Sequence, residues 1–137
     1  MPDRSPRVEH SLVSAQPVSP GPAGSVPDIT GVDRIEAEYL DEPVFMSVVN
    51  QWGGGEGFYR IGMALKDASG QPQLMSVGGD DPELRHTVAY EFRPDRPPLR
   101  QYLDVEVWLQ DWGDIFLCLD VNGVEVERYK IAIVPTG

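Results

Sequence analysis

The last third of the chain is a series of short segments in which apolar residues occupy alternate positions. In "DIFLCLDV", Ile115, Leu117 and Leu119 share one side of an extended chain. A period of two is that of a β-strand, whereas a helix repeats every 3.6 residues. Asn122 and Gly123 follow, and this pair is typical of a two-residue hairpin turn because both residues tolerate positive φ. The pattern therefore predicts antiparallel strands joined by tight turns.

The same alternation recurs upstream, and no segment after residue 28 favours a long helix. "FYRIGMALKD" alternates in this way, and "VFMSVVNQW" precedes it. Between the two lies "GGGEG", residues 53–57. Glycines supply the positive φ of a tight turn, whereas a phosphate-binding loop needs a lysine and a helix after its glycines. We expect a hairpin tip here and no phosphate site.

The length and the spacing of these segments predict one domain. Short strands with turn signals every 8 to 12 residues are typical of a sandwich of two antiparallel β-sheets. We assign residues 28–137 to this domain. Residues 1–27 are rich in proline and small polar residues, which predicts an extended, flexible tail. One edge strand at Val8–Val13 is the alternative for that tail.

The order of four segments resembles an uncharacterised bacterial family of small immunoglobulin-like β-sandwich domains. The segments are "GSVPDITGVDRI", "EPVFMSVVNQW", "GFYRIGMALKDASGQ" and "YLDVEVWLQDWGDIFLCLDVNGVEVERYKIAIV". The resemblance implies an all-β, immunoglobulin-like fold. It implies no activity and no site residues.

The segment "DWGDIFLC" is also similar to the D-x-G-x-Y-x-C signature of immunoglobulin strands. Asp111 and Gly113 match it. Ile115 replaces the tyrosine, and Cys118 lies one position beyond the cysteine. The tyrosine corner and the disulfide of antibody domains are therefore both absent.

Charge and hydropathy disfavour several classes of partner. The chain has 22 acidic and 11 basic residues and a net charge of −11. Such a surface repels nucleic acids and anionic lipids. No stretch approaches the roughly 18 apolar residues of a membrane helix, and the first residues lack the apolar core of a signal peptide. We expect a cytoplasmic protein that binds neither membrane nor nucleic acid.

Residues able to carry chemistry are few and scattered. Cys118 lies in an apolar run, which predicts a buried thiol, and neither His10 nor His86 has a nucleophile at a favourable spacing. Asp80 and Asp81 belong to an acidic loop, "GGDDPE". That loop is typical of a solvated turn, and calcium binding there stays open. We expect no enzymatic activity and no cofactor.

The aromatic residues of the last third give the strongest indication of a surface. A three-residue loop at 111–113 would place Trp108 opposite Phe116. The turn at 122–123 would then place Phe116 opposite Tyr129. These aromatics would form a second apolar face, opposite the core face of the same sheet. Either the N-terminal segment or a long loop covers this face, or a partner subunit or ligand does. A bulge near residue 127 is the alternative, because it would keep cationic residues out of the core and move the tyrosine off this row.

The fold and this second face favour a non-enzymatic protein-binding or assembly module. It would dock a protein partner or a second copy through the apolar face or through the tail. The alternative is a carbohydrate-binding module that uses exposed tryptophans; an enzyme is the third possibility. The candidate interface residues are Trp108, Phe116, Tyr129, Trp112 and Trp52.

Overall fold

The computed structural model describes residues 4–18 and 31–136, and these residues form nine β-strands and no helix. In the described part of the chain there is consequently no helix that could cross a membrane. The strands are β1 (Arg7–Ser14), β2 (Arg34–Ala37), β3 (Val44–Gly53), β4 (Gly57–Asp67), β5 (Met75–Val77), β6 (His86–Phe92), β7 (Leu99–Val107), β8 (Gly113–Val121) and β9 (Val124–Pro135).

The strands form two sheets, which confirms the all-β prediction. The first sheet has the order β1-β3-β7-β5, and the second has the order β2-β9-β8-β4-β6. The described pairs are antiparallel except β2 and β9, which run parallel. The inward side chains of both sheets belong to one hydrophobic core, so the arrangement is sandwich-like.

The alternation in the last third places the core residues as expected. Leu117 and Ile131 are fully buried between the sheets, and so is Val107 from the opposite sheet. Burial of this kind is the main stabilising term of such a fold. Because successive side chains of a strand point to opposite sides of the sheet, the apolar residues at alternate positions all face the core.

The predicted Asn122-Gly123 turn is confirmed. Both residues have positive φ, 51° and 87°, as a two-residue hairpin requires. The turn is also tied to the neighbouring strand, because the Arg60 amide donates to Asn122 Oδ1 at 2.9 Å. Among the described strands, β8 and β9 are the only pair consecutive in sequence that are also hydrogen-bonded neighbours.

The expectation of a hairpin tip at residues 53–57 is wrong. β3 ends at Gly53 and β4 begins at Gly57, but the two strands lie in different sheets. One glycine makes room for the N-terminal segment: a Cβ on Gly55 would lie 2.8 Å from the backbone nitrogen of Pro6. The Glu56 amide donates to the Arg4 carbonyl at 2.9 Å. The connection therefore seats the start of the chain.

The segment predicted as a tail supplies β1, an edge strand of the first sheet. Ser11 pairs with Asn50 and Val13 with Val48, and Val13 is fully buried. After this strand, the Val18 amide donates to Ser47 Oγ at 3.3 Å. β1 and Val18 thus lie against β3, whereas Arg4 and Pro6 lie against the connection that follows it. The rest of the predicted tail, residues 1–3 and 19–27, lies outside the described residues.

Candidate functional site

A groove lies at the end of the sandwich where β4 and β7 finish. Its volume is about 680 Å³. One wall runs from the last residue of β4 to Leu74, residues 67–74. The other comprises the connection after β7 and the first residues of β8, residues 108–115. Each wall passes from one sheet to the other, so the groove follows the seam between the sheets.

The wall at residues 108–115 is anchored at both ends. The Trp108 amide donates to the Leu74 carbonyl at 3.0 Å, which joins the two walls. Leu109 is buried in the core. Gly113 has a φ of 141°, a value that side chains disfavour, and β8 begins there. Both ends of the segment that carries the tryptophans are therefore tied to the rest of the fold.

The wall at residues 67–74 is held by one carboxylate. Asp67 Oδ1 accepts hydrogen bonds from Ser69 Oγ at 2.6 Å, from the Ser69 amide at 2.9 Å and from the Gln71 amide at 3.0 Å. The hydrogen bond from the Ser69 hydroxyl is the largest cause of the lowered pKa of Asp67, and the Gln71 amide adds to it. This carboxylate therefore stabilises the turn in which it lies.

The lining combines aromatic, amide and carboxylate groups. The Trp112 side chain is 45% exposed and that of Trp108 is half-buried. No lysine, arginine or histidine is found among the described residues that line the groove. Its polar and acidic members are Asp67, Ser69, Gln71, Gln73, Gln110, Asp111 and Asp114.

The predicted row of Trp108, Phe116 and Tyr129 does not form. Trp108 follows β7 of the first sheet, whereas Phe116 lies on β8 of the second, opposite Lys130. The assumed loop at 111–113 fails because the chain changes sheet there instead of turning back on itself. The sequence spacing alone does not distinguish a hairpin within one sheet from a connection between two sheets.

The alternative of a bulge near residue 127 is confirmed. Leu119 pairs with Glu127 and Asp120 with Glu125, so Val126 is the extra residue. The bulge places Arg128 on the outer face, where its guanidinium carbon lies 5.2 Å from the centre of the Phe116 ring. Phe116 is therefore partly covered by a cation and is no open apolar surface.

Tyr129 faces inward and packs against the core. It pairs with Leu117, and its hydroxyl donates to the Val32 carbonyl at 2.7 Å. Burial raises the pKa of this phenol, and the charge of Asp33 adds to the effect. The hydroxyl is engaged within the chain and the ring is partly buried, and the assignment of Tyr129 to an interface stays a prediction.

Trp52 is fully buried and presents no surface to a partner or a sugar. Its indole Nε1 donates to Gln101 Oε1 at 3.0 Å, and Asn50 Nδ2 donates to the same oxygen at 3.3 Å. Asn50 Oδ1 in turn accepts from Ser11 Oγ at 2.9 Å. The side chain is a core residue with a polar anchor, and its assignment to the interface is wrong.

Cys118, His86 and His10 lie on three different strands, β8, β6 and β1. Cys118 is 3% exposed, and burial raises the pKa of its thiol to about 11, with the nearby Glu125 adding to the effect. His86 Nδ1 lies 3.1 Å from Glu83 Oε1, and His10 is exposed on β1. Within residues 4–18 and 31–136, no group of three His, Cys, Asp or Glu side chains could hold a metal ion. Asp80 and Asp81 are exposed.

Comparison of the sequence with models of known protein families gave no match, and comparison with curated proteins gave none either. The interpretation of the groove therefore depends on its geometry alone. The sequence marks both walls as loops through "KDASGQPQ" and "LQDWGD". It does not indicate that the two loops meet, because that depends on which sheet each strand joins.

Proposed function

We propose that this protein is a non-enzymatic carbohydrate-binding module of immunoglobulin-like fold, and that the groove is its binding site. The observation that carries the proposal is the position of Trp108 and Trp112 on one wall of a groove whose lining also includes three glutamines and three aspartates. The fold assignment is supported by the order β1-β3-β7-β5, which matches the A-B-E-D sheet of immunoglobulin domains.

A sugar needs two kinds of partner. Its C–H faces pack on aromatic rings, and its hydroxyls exchange hydrogen bonds with planar polar side chains. Trp112 offers an exposed ring for the first purpose, and Gln73 and Gln110 offer amides for the second. The amide and carboxylate oxygens of the lining suit hydrogen bonding to sugar hydroxyls.

The groove is formed before any ligand arrives. The hydrogen bond from Trp108 to Leu74 and the triple contact of Asp67 hold the two walls in place. Binding then orders few loop residues, which lowers the entropic cost of association. A preformed groove is important for a sugar, because each of its contacts contributes little to the free energy of binding.

Docking of a protein partner at the same groove is the second candidate function. Trp112 and Leu74 line it from opposite walls and are 45% and 43% exposed. Exposed tryptophans are common anchors of protein interfaces. The assembly hypothesis thus moves from the outer sheet face, where the expected aromatic row is absent, to the seam between the sheets.

The test is titration of the protein with a panel of oligosaccharides, followed by tryptophan fluorescence and calorimetry. We expect Trp112→Ala to weaken binding by about 10-fold or more, because it removes the exposed ring. Phe58→Ala is the matched control, since Phe58 is an exposed aromatic at the start of β4, at the opposite end of that strand from the groove. Equal loss in both variants would contradict the site.

Sedimentation at several protein concentrations separates the two candidates. A sugar-binding module stays monomeric and still responds to the panel. Self-association that disappears in Trp112→Ala, with no response to any sugar, would instead favour docking of a second copy.

A further inference from the structure

We infer that the groove selects oligosaccharides that carry ammonium groups over neutral or anionic ones built on the same sugar backbone. The inference rests on the proposed function, because it names the class of sugar that the groove would take. Its basis is the distribution of charge around the two tryptophans, and the amides alone would not distinguish these sugars.

The charge of the lining has one sign. Three aspartates line the groove, and among its described lining residues none is basic. The nearest lysine in sequence, Lys66, lines a separate small cavity over Cys118. A carboxylate-bearing sugar would therefore meet like charges with no cation to pair with, and an ammonium-bearing sugar would meet opposite ones.

The three carboxylates differ in the hydrogen bonds that they make within the chain, and those of Asp67 all go to its Oδ1 atom. Asp67 already accepts three hydrogen bonds from its own turn. Asp111 and Asp114 flank Trp112 in sequence and are exposed. A tryptophan ring attracts a cation over its face, so the ring and the two carboxylates favour the same charge.

The opposite end of the sandwich has a different character. The cavity there, about 330 Å³, is lined by Arg4, Arg93 and Arg96 together with Glu9 and Glu56. These arginines therefore line a different cavity from the one that contains Trp108 and Trp112. The acidic character of the groove is a local property, and the net charge of −11 only adds a general attraction for cations.

The size of the effect follows from simple electrostatics. An ammonium group about 5 Å from two carboxylates in a water-like medium gains about 4-fold in affinity at physiological ionic strength. The gain rises to about 10-fold at low salt, because screening is then weaker. A neutral sugar of the same backbone should show almost no dependence on salt.

The experiment is calorimetric titration with short oligomers of glucosamine and of N-acetylglucosamine, at about pH 6 and at two salt concentrations. The two ligands share a backbone and differ in the acetyl group on nitrogen and hence in charge, and the salt dependence isolates the effect of the charge. We expect the glucosamine oligomer to bind more tightly, and expect added salt to reduce this preference. The full chain is used throughout.

The double variant D111N/D114N tests which carboxylates act. It should reduce binding of the glucosamine oligomer by a larger factor than binding of the N-acetylated oligomer, so that the preference falls. The control is D80N/D81N, which changes the net charge by the same amount at an exposed loop outside the groove lining. It should retain the preference, because the effect is local.

The outcomes separate the inference from the function on which it rests. Equal affinity for both oligomers, lost in Trp112→Ala, would overturn the inference and keep the sugar-binding site. An equal effect of both aspartate double variants would also overturn it, since net charge would then suffice. A lysine oligomer that binds as tightly as the glucosamine oligomer would overturn the assignment to sugars. Absence of binding by every sugar would overturn both proposals.

Discussion

At the scale of single residues, the buried amide of Asn50 decides how the edge strand β1 is placed. Asn50 is fully buried and has partners on both neighbouring strands, Ser11 on β1 and Gln101 on β7. A slip of β1 by one residue would turn Ser11 away and leave the buried amide oxygen without that donor. Such a group costs about 1–3 kcal/mol when it loses its partner. The polar group therefore specifies register on a strand that few apolar contacts hold.

Truncation of Leu117 measures how much one core side chain contributes. Leu117→Ala should lower the free energy of unfolding by about 2–5 kcal/mol, because Leu117 is fully buried between the sheets. Asp114→Ala, three positions earlier and exposed, should change it by less than about 0.5 kcal/mol. Urea unfolding of both variants gives the comparison. Equal midpoints would contradict the inward face assigned to β8.

The thiol of Cys118 should make stability depend on alkaline pH. Its pKa in the folded protein is about 11, above the ordinary value of 9.0, so the folded state holds the proton more tightly than the unfolded state. This contribution is complete below about pH 9 and is lost as the pH rises towards 11.

Urea unfolding at about pH 8 and about pH 10.5 measures this loss. The wild type should lose more stability between the two values than Cys118→Ala. Tyr129, whose pKa is also raised, is present in both proteins and its effect cancels. Identical losses in the two proteins would show that the thiol does not contribute.

At the scale of elements, the connection between β3 and β4 serves as a seat for the start of the chain. Gly55→Ala would place a methyl group against the backbone of Pro6, which cannot move as a flexible side chain can. We expect a loss of about 1–3 kcal/mol of stability or release of the N-terminal segment. Hydrogen exchange should then show reduced protection of the Glu56 amide, the donor to Arg4.

Glu56→Ala is the control for this prediction. It removes the exposed ion pair between Arg4 and Glu56 without adding bulk, and such pairs contribute little. If it reduced protection as much as Gly55→Ala, the ion pair and not the close approach would hold the segment.

The strands themselves could be predicted from the sequence because their signals are local. The alternation around Leu117, the Asn122-Gly123 turn and the bulge opposite Leu119 all depend on residues a few positions apart. The groove could not be predicted, because β7 and β8 lie in different sheets and no local pattern records that change. The role of Trp52 could not be predicted for the same reason, since its partner Gln101 lies far along the chain.

At the scale of the whole molecule, the two sheets are assembled almost entirely from strands distant in sequence. β3 pairs with β1 and β7, and β4 pairs with β6 and β8. The hairpin of β8 and β9 is the exception among the described strands. We therefore expect a destabilising substitution in the turn of this hairpin to slow folding, and one in another turn mainly to speed unfolding.

Two glycines allow a matched test of this expectation. Gly123 and Gly70 both have a φ of 87°, and a methyl group added at either position would have no neighbouring atom within 4 Å. Alanine at either site should cost about 1–2 kcal/mol from backbone strain alone. Stopped-flow measurements should show that Gly123→Ala slows folding, whereas Gly70→Ala mainly speeds unfolding. The reverse partition would place the early structure elsewhere.

The pairing of strands that are distant in sequence also affects the rate of folding. A chain with one local hairpin must close several long loops before its remaining strands find partners, and such folds form in milliseconds to seconds. During that interval unpaired strand edges are open to other chains. The 22 acidic residues are present from the start, so unfinished chains repel one another before any sheet is complete. We expect the net charge of −11 to oppose aggregation of the chain while its strands are still unpaired.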